Sequence, residues 1–144
     1  MQSIIVVPGK SGLNEPFGRY TAARALATHE WINGRSTRYD MGAIKLQGPV
    51  THQDVLKVRT ADANAATVCG YPTDRDAGMF QYREHQPVRK QGGRFFYQID
   101  TFGGQSGAAL MPNSEVAIGI HNYGGCDNKA SDLTQSFIDR VEQW

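Results

Sequence analysis

The chain has 144 residues, enough for one domain or for two small ones sharing an interface; 15 Lys and Arg against 14 Asp and Glu leave a formal charge of +1, and the arginines are scattered rather than clustered. That balance excludes a general electrostatic attraction to nucleic acid, and the apolar runs are too short for the roughly 20 residues of a membrane span. Sixteen glycines exceed the usual share of about 7%, which favours a turn-rich all-β architecture over a helical bundle.

In chain order, Ser3 to Val7 is a β-branched run stopped by Pro8-Gly9, and Pro8 to Gly18 reads as a loop. Thr21 to Thr28 fits a strand or a short helix, and Asn33-Gly34 marks a turn. From Asp40 to Leu46 the chain alternates, with Met41, Ala43 and Lys45 on one face and the greasier Gly42, Ile44 and Leu46 on the other. Asp40 stands at the N-terminal end of that strand. Gln47 to Asn64 reads as the connection between two halves.

The second half is denser in strand signals. Ala66 to Gly70, Met79 to Arg83, Phe95 to Ile99, Gly107 to Met111 and Val116 to His121 follow at the close spacing of a barrel or sandwich. Leu133, Phe137, Ile138, Val141 and Trp144 then form one stripe of an amphipathic helix, capped by Ser131 or Asp132 and packed on the barrel as a lid.

One loop carries chemistry. Ile99-Asp100-Thr101-Phe102-Gly103-Gly104-Gln105-Ser106-Gly107 places Ser106 behind two glycines, where a backbone free to take positive φ turns its N–H groups inward beside the hydroxyl. Asp40 supplies an acid, but no histidine sits where a base is needed. His29 is too close to Asp40 in sequence, His52 and His85 lie in polar, loop-like stretches, and the strand position of His121 points to a pocket wall. Cys69 and Cys126 allow one disulfide or two separate thiols. With no C-x-x-C or H-x-x-x-H pair, neither a metal nor another cofactor is expected.

Four ordered motifs carry a resemblance: Tyr39-Asp40-Met41-Gly42-Ala43-Ile44-Lys45-Leu46, Gly70-Tyr71-Pro72-Thr73-Asp74, Tyr97 through Ser106-Gly107, and Gly119-Ile120-His121-Asn122-Tyr123-Gly124-Gly125. Together they resemble the bacterial glutamyl-endopeptidase (V8-like) branch of the chymotrypsin-fold serine proteases, specifically the part after the catalytic-histidine segment. The resemblance implies a double β-barrel: residues 1–57 as what remains of the N-terminal barrel, and residues 58–144 as a complete C-terminal barrel with its helix.

The same resemblance implies roles. Ser106 matches the nucleophile, Asp40 the triad acid, and the backbone N–H groups of Gly104 and Ser106 the oxyanion hole. Thr101 and His121 match the S1 positions that hold an acidic P1 side chain, so the expected partner is a peptide or protein substrate with Asp or Glu at P1. The family's triad histidine has no match here. The expectation is a serine endopeptidase almost inert as this chain alone, its open first barrel completed by a missing N-terminal segment or a partner chain. The alternative is a pseudoprotease kept for binding or self-association. Family habit implies a secreted or periplasmic location, although the opening Met-Gln-Ser-Ile-Ile-Val-Val does not read as a signal peptide.

Overall fold

The computed structural model describes residues 3–51 and 54–144. Its first part is a three-stranded antiparallel sheet in which β1 (Ile5–Val6) pairs with β2 (Tyr20–Ala27), and β2 with β3 (Gly42–Leu46). The run ambiguous between strand and helix is thus β2, where pairing on both sides overrides the helix preference of its alanines. On β3, Ala43 packs inward beside the preceding Met41, whereas Ile44 on the greasier face is 45% exposed.

Between β2 and β3 lie α1 (His29–Gly34) and a 3-10 turn over Thr37–Tyr39. The turn expected at Asn33-Gly34 is therefore the last part of a helix, closed by Arg35 at φ 48°. Thr28 caps this helix, its hydroxyl oxygen accepting from the Trp31 N–H at 3.3 Å.

The second part begins with β4 (Lys57–Val58) and continues through β5 (Ala65–Gly70), β6 (Tyr82–Gln91), β7 (Arg94–Tyr97), β8 (Ala109–Met111), β9 (Val116–Ala117), β10 (Gly119–Tyr123) and β11 (Asn128–Asp132). Six of these strands close a barrel in the order β10-β11-β7-β6-β5-β8, while β4 runs parallel to β9 outside it. The chain therefore has the expected mostly-β architecture, with one complete barrel, an open sheet before it and a terminal helix.

Several boundaries differ from the sequence reading. The strand expected over Met79 to Arg83 starts at Tyr82 and runs on to Gln91, so His85 stands on a strand rather than in a loop. Its alternation is carried by charged and polar residues, which hid it. β11 was not expected at all: Asn-Lys-Ala-Ser-Asp is a polar sequence, yet Ala130 and Ser131 are fully buried because the strand lies between β7 and β10. Phe95, Ile99, Leu110, Ile118 and Val68 fill the barrel.

The terminal helix α2 (Gln135–Glu142) begins later than expected. Thr134 caps it, accepting from the Phe137 N–H, while Ser131 and Asp132 belong to β11. Phe137 and Ile138 are buried with Leu133, Met41 and Ala117, so the helix joins the first sheet to the barrel. Cys69 and Cys126 are both free thiols.

Candidate functional site

Asp40 is held between two anchored neighbours. The Thr28 hydroxyl donates to the Tyr39 carbonyl, and the Thr28 N–H donates to the Met41 carbonyl at 3.2 Å. Two side chains from β10 complete the setting: Asn122 Nδ2 donates to the Asp40 carbonyl oxygen at 2.9 Å, and the Tyr123 hydroxyl donates to Asp40 Oδ2 at 2.8 Å. The acid is thereby fixed from both the sheet and the barrel.

The loop before β8 is braced just as closely. The Thr73 N–H and hydroxyl both donate to the Gly103 carbonyl, at 2.8 and 2.9 Å. Gln105 is buried, and its side-chain oxygen accepts from the Phe102 N–H at 2.8 Å. Gly104 takes φ +99°, and a Cβ there would run into the Tyr71 carbonyl oxygen, so both backbone conformation and space require glycine. Among the described residues, no carbonyl accepts the Gly104 or Ser106 N–H, and the exposed Ser106 hydroxyl has no hydrogen-bond partner. Two N–H groups without an acceptor thus lie in the same short loop as a free hydroxyl.

Asp40 and Ser106 come from different halves of the chain yet line one cavity of about 630 Å³, together with Trp31, Gly42, Ile120 and Asn122. An apolar cavity of about 480 Å³ shares Gly42, Gly107 and Ile120 with it and extends to α2. No imidazole of the described residues lines the cavity between Asp40 and Ser106. His29 lies on α1, where its ring contacts Asn33 Nδ2. His85 shares a hydrogen bond with the Thr67 hydroxyl on the barrel exterior. His52 lies outside the described residues.

Thr101 and His121 are not in that cavity. Thr101 borders a separate space of about 260 Å³ near Arg75 and Arg83, and its hydroxyl is buried without a partner. His121 is 3% exposed, and Tyr97 shares a hydrogen bond of 2.7 Å with its Nδ1. Burial pushes the His121 pKa down, with a backbone hydrogen bond to Lys129 acting the other way, and burial pushes the Tyr97 phenol up. Sequence reasoning missed Asn122, Tyr123, Tyr97 and Gln105. All four lie inside recognised motifs, but nothing in those motifs announces which way each points.

No protein-family model matches the chain. In sequence it is 29% identical over 154 aligned residues to an extracellular metalloprotease of Bacillus subtilis, covering 99% of this chain and 49% of that protein. It is 27% identical over 157 to a glutamyl endopeptidase of Bacillus licheniformis, covering 96% and 49%. A glutamyl endopeptidase of Staphylococcus epidermidis is 35% identical over 78 residues, half of this chain. The chain thus spans about half the length of the first two relatives. The described residues contain no group of three or more His, Cys, Asp or Glu that could hold a metal.

In structure, a Glu endopeptidase in complex with MPD aligns with a TM-score of 0.86 over 98% of this chain and 71% of its own, at 24% identity. The protease Anisep from Arthrobacter nicotinovorans aligns with a TM-score of 0.81 over 99% and 75%, at 17% identity. These likenesses establish the chymotrypsin-type fold.

Proposed function

We propose that this chain, a chymotrypsin-fold relative of the V8-like glutamyl endopeptidases, carries the nucleophile and the acid of a serine endopeptidase whose imidazole comes from polypeptide outside these 144 residues. The observation that carries this reading is the single cavity of about 630 Å³ shared by Asp40 and Ser106. The sheet of β1, β2 and β3 then belongs to the first barrel and the closed six-stranded barrel is the second, with the cavity at their junction.

In this mechanism Ser106 Oγ attacks the scissile carbonyl while the imidazole takes its proton. The Gly104 and Ser106 N–H groups stabilise the oxyanion, the amine leaves with a proton returned by the imidazole, and water hydrolyses the acyl-enzyme. Asp40 orients the imidazole and offsets its positive charge. Thr101 and His121 form the S1 subsite for an acidic P1 side chain, a reading supported by the unpartnered Thr101 hydroxyl. The Bacillus subtilis relative is named as extracellular, and secretion is the location proposed here.

Without its imidazole the serine is a poor nucleophile, so the chain alone is expected to be nearly inert. A second reading, a protease-derived module retained for binding or self-association, draws on the same lack of an imidazole beside Ser106 among the described residues.

A fluorophosphonate probe separates the two. Offered to the chain extended by the coding sequence upstream of residue 1, it is expected to label Ser106, with labelling lost in Ser106→Ala and slower by at least about a thousandfold on the 144-residue chain. Equal labelling of the shorter chain would place the base within it. No labelling of the extended protein would favour the binding module.

A further inference from the structure

We infer that Tyr123 is a positioning residue for Asp40, its phenol engaging one carboxylate oxygen so that the other is left for the imidazole; this rests on the serine-endopeptidase reading above. The backbone explains how it gets there. In β10 the pairing with β11 runs His121 opposite Ala130 and then Tyr123 opposite Lys129, so Asn122 is an extra residue in a β-bulge. A regular strand sends consecutive side chains to opposite faces. The bulge instead lets Asn122 and Tyr123 both reach Asp40, one at its carbonyl and the other at its carboxylate.

Each of these side chains is itself held in place. Asn122 Nδ2 also contacts Ser131 Oγ at 2.8 Å, and that hydroxyl donates to the Thr37 carbonyl at 3.1 Å, tying β11 to the segment that leads into Asp40. The Arg94 guanidinium lies 5.3 Å from the centroid of the Tyr123 ring, packing against its face. Burial first, and then the Asp40 carboxylate, keep the phenol above the ordinary tyrosine range, with Arg94 opposing, so Tyr123 is a donor at neutral pH.

A carboxylate has two oxygens and accepts several hydrogen bonds. Tyr123 engages Oδ2, whereas Oδ1 has no hydrogen-bond partner among the described residues and Asp40 lines the cavity it shares with Ser106. The division of labour follows: Oδ2 fixes the rotation of the carboxylate, and Oδ1 is free to meet the imidazole.

The test is Tyr123→Phe in the extended protein, which keeps the ring against Arg94 and removes only the hydroxyl. The expected result is a fall in kcat of about ten- to a hundredfold with KM unchanged. The acid limb of kcat/KM is expected to move to higher pH, because a carboxylate relieved of a neutral donor attracts the imidazolium more strongly. A merely structural tyrosine would lower stability without moving that limb, and an unchanged kcat and limb would overturn the proposal.

A second measurement does not depend on activity. In the 144-residue chain labelled with ¹³C-tyrosine, the Tyr123 resonance, assigned by its loss in Tyr123→Phe, is expected to titrate above the ordinary tyrosine range and to fall in Asp40→Asn. If the extended protein shows no Ser106-dependent hydrolysis, the endopeptidase reading fails and this titration still decides the Tyr123–Asp40 pairing. A Tyr123 titration unmoved by Asp40→Asn would overturn it.

Discussion

The Tyr97 hydroxyl meets Nδ1 of His121 at 2.7 Å in the barrel interior, and burial acts on both rings in the direction that keeps them neutral. Either the phenol donates to Nδ1 or it accepts from an Nδ1–H, according to which ring nitrogen of the neutral imidazole carries the proton. His121 has a folded pKa below its ordinary value of 6.5. As pH falls below about 6.5, the unfolded chain therefore takes up a proton that the folded chain refuses, and stability is lost until the lower folded pKa is passed. The expected slope is up to about 1.4 kcal/mol per pH unit in that window. Urea midpoints measured from about pH 8 to about pH 5 are expected to show this slope in the wild type and a flatter one in His121→Gln. Equal slopes would mean that His121 titrates normally.

Gly104 and Gly107 flank Ser106 with similar positive φ, +99° and +92°, but in different surroundings. A Cβ at Gly107 meets nothing within 4 Å, whereas one at Gly104 meets the Tyr71 carbonyl oxygen and the Thr73 side chain. Gly107→Ala is expected to cost only the backbone strain, about 1–3 kcal/mol. Gly104→Ala adds a collision with main chain, which must move and disturb the Thr73 clamp on Gly103. Urea unfolding is expected to rank Gly104→Ala as clearly the more destabilising, and equal losses would remove the steric part of this account.

The barrel was legible because most of its strands combine apolar residues with turn-forming punctuation, as in Ala65–Gly70 before Tyr71-Pro72-Thr73-Asp74. Strand β11 was not, since Asn128, Lys129, Ser131 and Asp132 are polar and are buried or half-buried only through their neighbours β7 and β10. At the candidate site, motif order singled out Asp40 and Ser106, and the structure gives them a common cavity. The bulge at Asn122 depends on register between β10 and β11, a nonlocal property that residue spacing does not encode. Thr101 and His121 remain assigned by resemblance, and neither lines the cavity of Asp40 and Ser106.

The two thiols differ in environment and should differ in reactivity. Cys126 is exposed on the loop after β10, whereas Cys69 is half-buried on β5 and burial raises its pKa, partly opposed by Arg83. Because the thiolate is the reacting form, a colorimetric disulfide reagent at neutral pH is expected to modify Cys126 first and Cys69 about tenfold or more slowly. Cys126→Ser is expected to remove the fast phase alone. Two phases of equal rate would contradict the burial of Cys69.

Two kinds of contact hold the terminal segment to the first sheet, and their magnitudes differ. Arg24 Nη2 and Lys45 Nζ donate to the Trp144 carbonyl oxygen at 2.6 and 2.7 Å, and Arg24 also lies 4.8 Å from the centroid of the Trp144 ring. These groups are exposed, so water competes for every donor and the contacts are worth about 1 kcal/mol together. Phe137, by contrast, is 7% exposed and packs in the cluster that includes Met41, Ala117, Leu133 and Ile138. Truncating it leaves a cavity at the junction of sheet, barrel and helix, with an expected cost of about 3–5 kcal/mol. Thermal or urea unfolding of Phe137→Ala and Arg24→Ala is therefore expected to show a large loss for the first and at most a small one for the second. The reverse order would mean that the polar clamp at Trp144, rather than apolar burial, keeps α2 on the sheet.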